Sequence, residues 1–282
     1  MKIAITGATG QLGRLVINKL KEKIPTDNMI ALSRSVEKAK GLEVEVREFD
    51  YEKPAMLKPA LKGVDTLLLI SASEIGKRFS QHKHIIEAAK SAGIKWIVYT
   101  SLLRTDNTSL DIGAEHKVTE KLLKESGIPF TILRNGWYTE NYTSSVPGAI
   151  RGGALMGCAG NGKISGAARA DYADAAAAVL TGKNHQGKIY ELAGDNFFTL
   201  SDLAAEISRQ TGKNIPYKNL SEKDYTSALK NFGVPEEFAK VIAGWDTAAS
   251  KNDLFDDSHQ LSRLTGNATT PLSVSVANAI KG

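Results

Sequence analysis

Three glycines spaced as Gly-x-x-Gly-x-x-Gly, in the run Gly7-Ala8-Thr9-Gly10-Gln11-Leu12-Gly13, follow a short aliphatic run and open a helical one. That context makes a glycine string evidence for a phosphate grip. The first glycine permits a tight turn, the second lets backbone approach a pyrophosphate, and the third allows the helix to pack closely. The helix N-terminus adds unpaired N–H groups and the positive end of its dipole. A plain strand-to-helix turn needs fewer glycines. The expected chemistry is therefore dinucleotide binding by Gly7, Thr9, Gly10, Gln11, Leu12 and Gly13.

The end of the second strand selects the dinucleotide, because an acid there binds a ribose 2′-OH and repels a 2′-phosphate. This sequence has Ser33 and Arg34 at that point, and Asp27 lies before the strand, at the other end of the sheet. A guanidinium fork suits a phosphate, so NADPH is expected over NADH. The competing reading of Arg34, and of Lys38 one turn on, is a solvated surface cation. Ser71, Ala72 and Ser73 follow the fourth strand and are small enough for a cofactor backbone to pass. Thr100 and Ser101 follow the fifth and could hydrogen-bond a reacting carbonyl. Asp50 could meet the adenine or cap the next helix. For each of these an ordinary turn is the alternative.

Elements that would position these residues alternate strand and helix. Aliphatic or β-branched runs at 2–6, 29–34, 44–49, 66–70, 96–100 and 129–133 are separated by helical patterns, such as Leu12, Leu15, Val16 and Leu20, or Ile85, Ile86 and Ala89 before Gly93. The expected class is α/β, a Rossmann-type doubly wound parallel sheet. An NADP-binding domain is expected over 1–150 and a smaller lobe over 151–282. The Ala-rich helix at 172–180 and a strand at 188–192 would rejoin the first sheet, so the lobes interleave. Regular elements are hard to place in the Gly-rich stretch 147–166. Ser201-Asp202 begins a helix and Ser221 caps another.

Composition narrows the alternatives. The chain has 282 residues, 42% hydrophobic and 24% charged, and no apolar run near the roughly 20 residues that cross a bilayer. No signal-peptide pattern is present, and the lone Cys158 offers neither a disulfide nor a metal site, so a cytoplasmic, metal-free, non-membrane protein is expected. The net charge of +5 comes from 36 dispersed Lys and Arg, which speaks against a nucleic-acid partner.

Together, Gly7 to Gly13, Arg34, Tyr99-Thr100-Ser101 and Leu133-Arg134-Asn135-Gly136-Trp137-Tyr138 resemble the NmrA-like group of atypical short-chain dehydrogenases. With Ala249-Ser250-Lys251 and Leu254-Phe255-Asp256-Asp257-Ser258, the resemblance extends end to end to the quinone-reducing members of that group. It implies a two-lobed reductase with NADPH in the large lobe and a small quinone in the cleft. It also implies that Asn135, Gly136, Trp137 and Tyr138, with Thr139, Glu140 and Arg169, lie near the nicotinamide end. The Tyr-x-x-x-Lys pair of typical short-chain dehydrogenases is missing, with Ile112 and His116 at those places.

Alcohol oxidation thereby loses its acid/base, whereas hydride transfer to a quinone yields a hydroquinone anion that water can protonate. No flavin is required. His116 could supply a proton or orient substrate, and a surface salt bridge to Glu120 is the alternative. Trp137 and Tyr138 could stack on a flat ring or simply pack. A triphenylmethane-type dye is the alternative acceptor, and an idle NADP(H) sensor the alternative class. The sequence leaves the oligomeric state open.

Overall fold

The computed structural model describes residues 1–74 and 76–281. It divides into two compact units. Unit 1 comprises Met1–Asp106, Ile112–Asn135 and Arg169–Leu192; unit 2 comprises Asn107–Asp111, Gly136–Ala168 and Ala193–Gly282. The strands are β1 (Ile3–Ile5), β2 (Met29–Ser33), β3 (Glu45–Glu48), β4 (Thr66–Leu69), β5 (Trp96–Leu102), β6 (Phe130–Asn135), β7 (Leu155–Gly157), β8 (Ile189–Leu192) and β9 (Tyr217–Asn219). The first eight helices are α1 (Gln11–Lys21), α2 (Val36–Ala39), α3 (Pro54–Ala60), α4 (Arg78–Ala92), α5 (Gly113–Glu125), α6 (Thr139–Thr143), α7 (Val146–Gly152) and α8 (Arg169–Thr181). Five more follow: α9 (Leu200–Thr211), α10 (Glu222–Asn231), α11 (Glu236–Ser250), α12 (Gln260–Thr265) and α13 (Leu272–Lys281).

Unit 1 contains a seven-stranded, wholly parallel sheet in the order β3-β2-β1-β4-β5-β6-β8. β1, β2, β4 and β5 are buried along their whole length. Both sheet faces are therefore covered, which is why these strands read as continuous aliphatic runs rather than as alternation. α1 buries Leu12, Val16, Ile17 and Leu20, and it packs on the Ala-rich α8, whose small side chains let the helix axes approach. α8 and β8 return the chain to the first sheet, β8 pairing with β6. The strand order reverses at β1, which lies between β2 and β4, and ligand crevices of open α/β sheets form beyond the carboxyl ends at such a point.

Two strands outrun the sequence reading. β5 continues to Leu102, and β6 to Asn135, so Thr100 and Ser101 lie within a buried strand rather than after it.

In unit 2, β7 and β9 form a two-stranded parallel sheet, Leu155 opposite Tyr217. The stretch 147–166 is more regular than its glycine content suggests, since it carries most of α7 and all of β7. Gly153, at φ +70°, ends α7, and a three-residue strand is too short to show a period. Thr199 and Asp202 form a reciprocal capping box at the start of α9, and Ser221 accepts from the Asp224 N–H at the start of α10. Among the described residues, no helix is long and apolar enough to cross a membrane.

Candidate active site

The glycine turn sits between β1 and α1. Gly7 has φ +58°, and its carbonyl accepts the Gly10 N–H at 2.9 Å. A Cβ on Gly13 would stand 2.3 Å from the Gly7 carbonyl oxygen and 2.8 Å from the Ala8 Cα, so only glycine lets the helix start this close to the turn. Gly10 is the N-cap of α1 and offers no side-chain cap, and the first turn holds no acid. The leading N–H groups of α1 are thus left for an exogenous anion. Near Thr6 and Gly7, burial raises the pKa of the Tyr51 phenol. Arg14, which the sequence reading passed over, donates from Nε to the Thr9 carbonyl at 3.1 Å and from Nη2 to the Lys38 carbonyl at 2.8 Å. It braces the turn against the segment beyond β2. A cation directly after the third glycine was the signal available.

Arg34 leaves the end of β2 exposed to solvent, and its Nη1 lies 3.0 Å from Oε1 of Glu74. Asp27 precedes β2, so no acid stands at that strand's carboxyl end. Lys38 contributes its carbonyl to Arg14. Asp50 accepts the Glu52 N–H at 3.1 Å, closing a turn; α3 starts later, with Lys53 at its N-cap, so Asp50 does not cap it.

The chain beyond β4 is fixed atom by atom. The Ser71 N–H donates to Thr100 Oγ1 at 2.9 Å, and the Ala72 N–H to His82 Nε2 at 3.0 Å. The Ala72 carbonyl accepts from Arg78 Nε at 2.8 Å, and Arg78 is itself paired with Glu115 at 2.8 Å. Because Nε2 of His82 accepts, Nδ1 carries the proton and donates to Thr119 Oγ1 at 3.0 Å. Burial pushes the His82 pKa down to about 3, so the ring is neutral. Ala72 is buried and Ser73 is exposed. Neither His82 nor Arg78 was legible as a site residue, since nothing local marks a helix side chain that reaches back to a loop.

Thr100 and Ser101 are already committed: Thr100 holds Ser71, and Ser101 Oγ donates to Glu120 Oε1 at 2.6 Å. Ser101 therefore has no proton left for a reacting carbonyl, whereas Thr100 accepts and keeps its own. His116 is 4% exposed, with Nδ1 2.7 Å from the Tyr99 hydroxyl, and burial holds its pKa well below the usual histidine value. The surface salt bridge to Glu120 does not form. Glu120 is instead gripped by Arg134 through two bonds, 2.9 and 2.7 Å, and Arg134 also meets Glu191 and Asp106 at 2.8 Å each. Next along β6, Asn135 is 4% exposed and its Oδ1 has no hydrogen-bond partner. Such an orphaned acceptor costs on the order of 1–3 kcal/mol unless something satisfies it.

Within unit 2, Gly136 and Thr139 are buried, and Tyr138 and Glu140 are half-buried. The Trp137 carbonyl accepts the Ala167 N–H at 3.2 Å, and the Thr139 N–H donates to the Ala167 carbonyl at 2.9 Å. Trp137 is buried edge-to-face against Trp245, ring centroids 5.2 Å apart, and Trp245 donates to Asp111 at 2.9 Å. The Leu254-to-Ser258 segment has a structural job. Ser165 bonds the Leu254 carbonyl with its N–H, and its hydroxyl donates to the Asp256 carbonyl and accepts the Asp256 N–H. In unit 1, Arg169 is half-buried at the start of α8.

No cluster of three or more potential metal ligands exists among the described residues. Unit 1 alone brings together an uncapped helix N-terminus, a glycine that admits no side chain, an exposed guanidinium and an orphaned amide oxygen. That set fits a phosphorylated dinucleotide.

The chain matches the NmrA-like family over residues 1–278. It is 52% identical to Quinone oxidoreductase 2 of Escherichia coli strain K12 over 98% of both chains. Among solved structures it is similar to the NADPH-dependent quinone oxidoreductase of E. coli in complex with NADPH, with a TM-score of 0.96 at 51% identity over 99% of each chain. The triphenylmethane reductase of Citrobacter sp. in complex with NADP(H) superposes with a TM-score of 0.96 at 37% identity, covering 99% of this chain and all of the other. Full-length sequence similarity, a family match across nearly the whole chain and a shared fold leave one assignment: this chain belongs to the NmrA-like family.

Proposed function

We propose that the protein is an NADPH-dependent quinone oxidoreductase that passes hydride directly to a quinone without a flavin. The observation that carries this reading is the 52% identity, over 98% of both chains, to a quinone oxidoreductase, on a chain whose glycine turn fits a dinucleotide pyrophosphate. A single cysteine suits the reducing cytoplasm as the place of work.

In this reading the α1 N-terminus and Gly7 to Gly13 hold the pyrophosphate, and Arg34 holds the 2′-phosphate. Ser71 and Ala72, held in place by Thr100, His82 and Arg78, would with the exposed Ser73 face the cofactor. Asn135, whose Oδ1 has no partner, would with Arg169 hold the nicotinamide end, and the resemblance assigns Gly136 to Glu140 the same role. When bound, NADPH supplies a hydride at nicotinamide C4. In unit 2, Tyr138 would be the ring contact for a flat substrate. His116 is neutral and tied to Tyr99, which suits a positioning residue, and water protonates the hydroquinone anion. With no strong acid needed, orientation supplies most of the acceleration.

The test is NADPH oxidation, followed by absorbance, with flavin-free protein and a small benzoquinone, alongside NADH and a reaction without enzyme. Fast, NADPH-preferring turnover is expected. Arg34→Ala should raise KM for NADPH far more than for NADH. A triphenylmethane dye belongs in the same assay, because the Citrobacter reductase shares the fold so closely. Tight NADPH binding with no turnover on either acceptor would replace this reading with that of a sensor.

A further inference from the structure

Arg34 follows β2 and Glu74 follows β4, and these two strands are the neighbours of β1 on either side. Strand spacing of about 4.8 Å puts the two chain ends roughly 10 Å apart, with the glycine turn between them. The 3.0 Å ion pair from Arg34 Nη1 to Glu74 Oε1 therefore crosses the space beyond the carboxyl end of β1. That space is where the adenosine half of a dinucleotide enters an open α/β sheet. Glu74 has a second cationic neighbour, Lys77, whose Nζ is 3.6 Å from Oε2. The carboxylate would thus keep a partner if Arg34 left. Arg34 has no comparable second carboxylate among the described residues.

From this arrangement, which rests on the assignment of Arg34 to the 2′-phosphate, we infer that Glu74 is a specificity-determining residue that competes with that phosphate for Arg34. A cofactor with a 2′-phosphate takes the guanidinium from Glu74, whose carboxylate keeps Lys77 as its partner. A cofactor without it leaves the Arg34–Glu74 pair in place. Glu74 therefore lowers the preference for phosphorylated cofactor below what Arg34 alone would give. Opposing charges this exposed exchange partners at small cost, so the effect is modest.

The experiment is calorimetric titration of the folded full chain with NADP⁺ and with NAD⁺, for the natural protein, Glu74→Gln, Arg34→Ala and the double variant. Glu74→Gln is expected to tighten NADP⁺ binding by roughly two- to fivefold, the span of an exposed ion pair, and to move NAD⁺ binding by less than that. The gain should vanish when Arg34 is already alanine. Weaker NADP⁺ binding by Glu74→Gln, an equal shift for both cofactors, or a gain that persists without Arg34 would each overturn the inference. If Arg34→Ala leaves the NADP⁺ to NAD⁺ ratio unchanged, the assignment of Arg34 itself fails. If that ratio collapses while Glu74→Gln does not raise it, only the role of Glu74 fails.

Discussion

The imidazole Nε2 of His82 accepts the Ala72 N–H at 3.0 Å, so a fully buried side chain on α4 sets the backbone of the loop beyond β4. Its pKa is pushed down to about 3 by burial, whereas an unfolded histidine binds its proton near 6.5. As pH falls below 6.5 the unfolded chain gains a proton that the native chain refuses. The native state is therefore penalised progressively down to about pH 3, by about 1.4 kcal/mol at pH 5.5. His82→Gln keeps an acceptor for Ala72 and removes the titration. Urea midpoints at pH 7.5 and 5.5 should differ less in the glutamine variant than in the natural protein. An equal pH dependence would mean that His82 is not excluded from protonation. His82→Leu, which strands the Ala72 N–H, should weaken NADPH binding where His82→Gln does not.

Gly13→Ala would place a Cβ 2.3 Å from a backbone oxygen that has no rotamer by which to yield. The turn must open, and with it the N–H groups that face the pyrophosphate. NADPH binding should weaken by roughly tenfold or more, about 1.4 kcal/mol, while the far-ultraviolet circular dichroism stays native. A Kd unchanged by titration would show that the grip tolerates a wider turn.

Removing Arg134 leaves Glu120, 2% exposed, with only the Ser101 hydroxyl at 2.6 Å and the Lys124 ammonium at 3.7 Å. Arg134→Met should cost about 3 kcal/mol of stability, since a buried carboxylate that loses its main partner is left poorly compensated. Arg134→Met combined with Glu120→Gln should recover part of it. Denaturant unfolding of the single and double variants decides the matter, and a double variant no more stable than the single one contradicts it.

Asp246 is 3% exposed on α11, accepting the Cys158 N–H at 2.9 Å and the Tyr142 hydroxyl at 3.2 Å. Burial raises its carboxyl to about 6 from the usual 3.8. The native state holds this proton more tightly than the unfolded chain, so stability is full below pH 3.8 and is lost as pH rises to 6. The loss reaches about 3 kcal/mol. Asp246→Asn retains an acceptor for Cys158 and can donate to Tyr142. It should match or exceed the natural protein in thermal stability at pH 8. A lower midpoint there would mean that the ionised carboxylate's bonds outweigh its desolvation.

What the sequence revealed follows the range of the interactions involved. The glycine turn and the central strands were readable because a local pattern encodes each, a spacing in one case and an aliphatic run in the other. Return of the chain to the sheet through α8 and β8 was readable from an Ala-rich helix followed by a β-rich run. Thr100 and Ser101 were misplaced because a strand buried on both faces gives no sign of where it stops. His82, Arg78 and Arg14 went unnoticed for another reason. Their partners are carbonyls and N–H groups of other segments, and backbone acceptors carry no sequence signature. The Leu254-to-Ser258 segment was noticed only by resemblance, since its work is to bond Ser165, about ninety positions away.

The chain leaves the sheet of unit 1 after Asn135, comes back at Arg169 and leaves again after Leu192. A recombination breakpoint placed after Leu192 would thus carry only one part of unit 2 into a hybrid, parting Ser165 from Asp256 and Cys158 from Asp246. Gene shuffling within this family can exchange the smaller unit intact only through coordinated crossovers. Divergence of that unit is consequently left to point substitutions more than to the trading of modules.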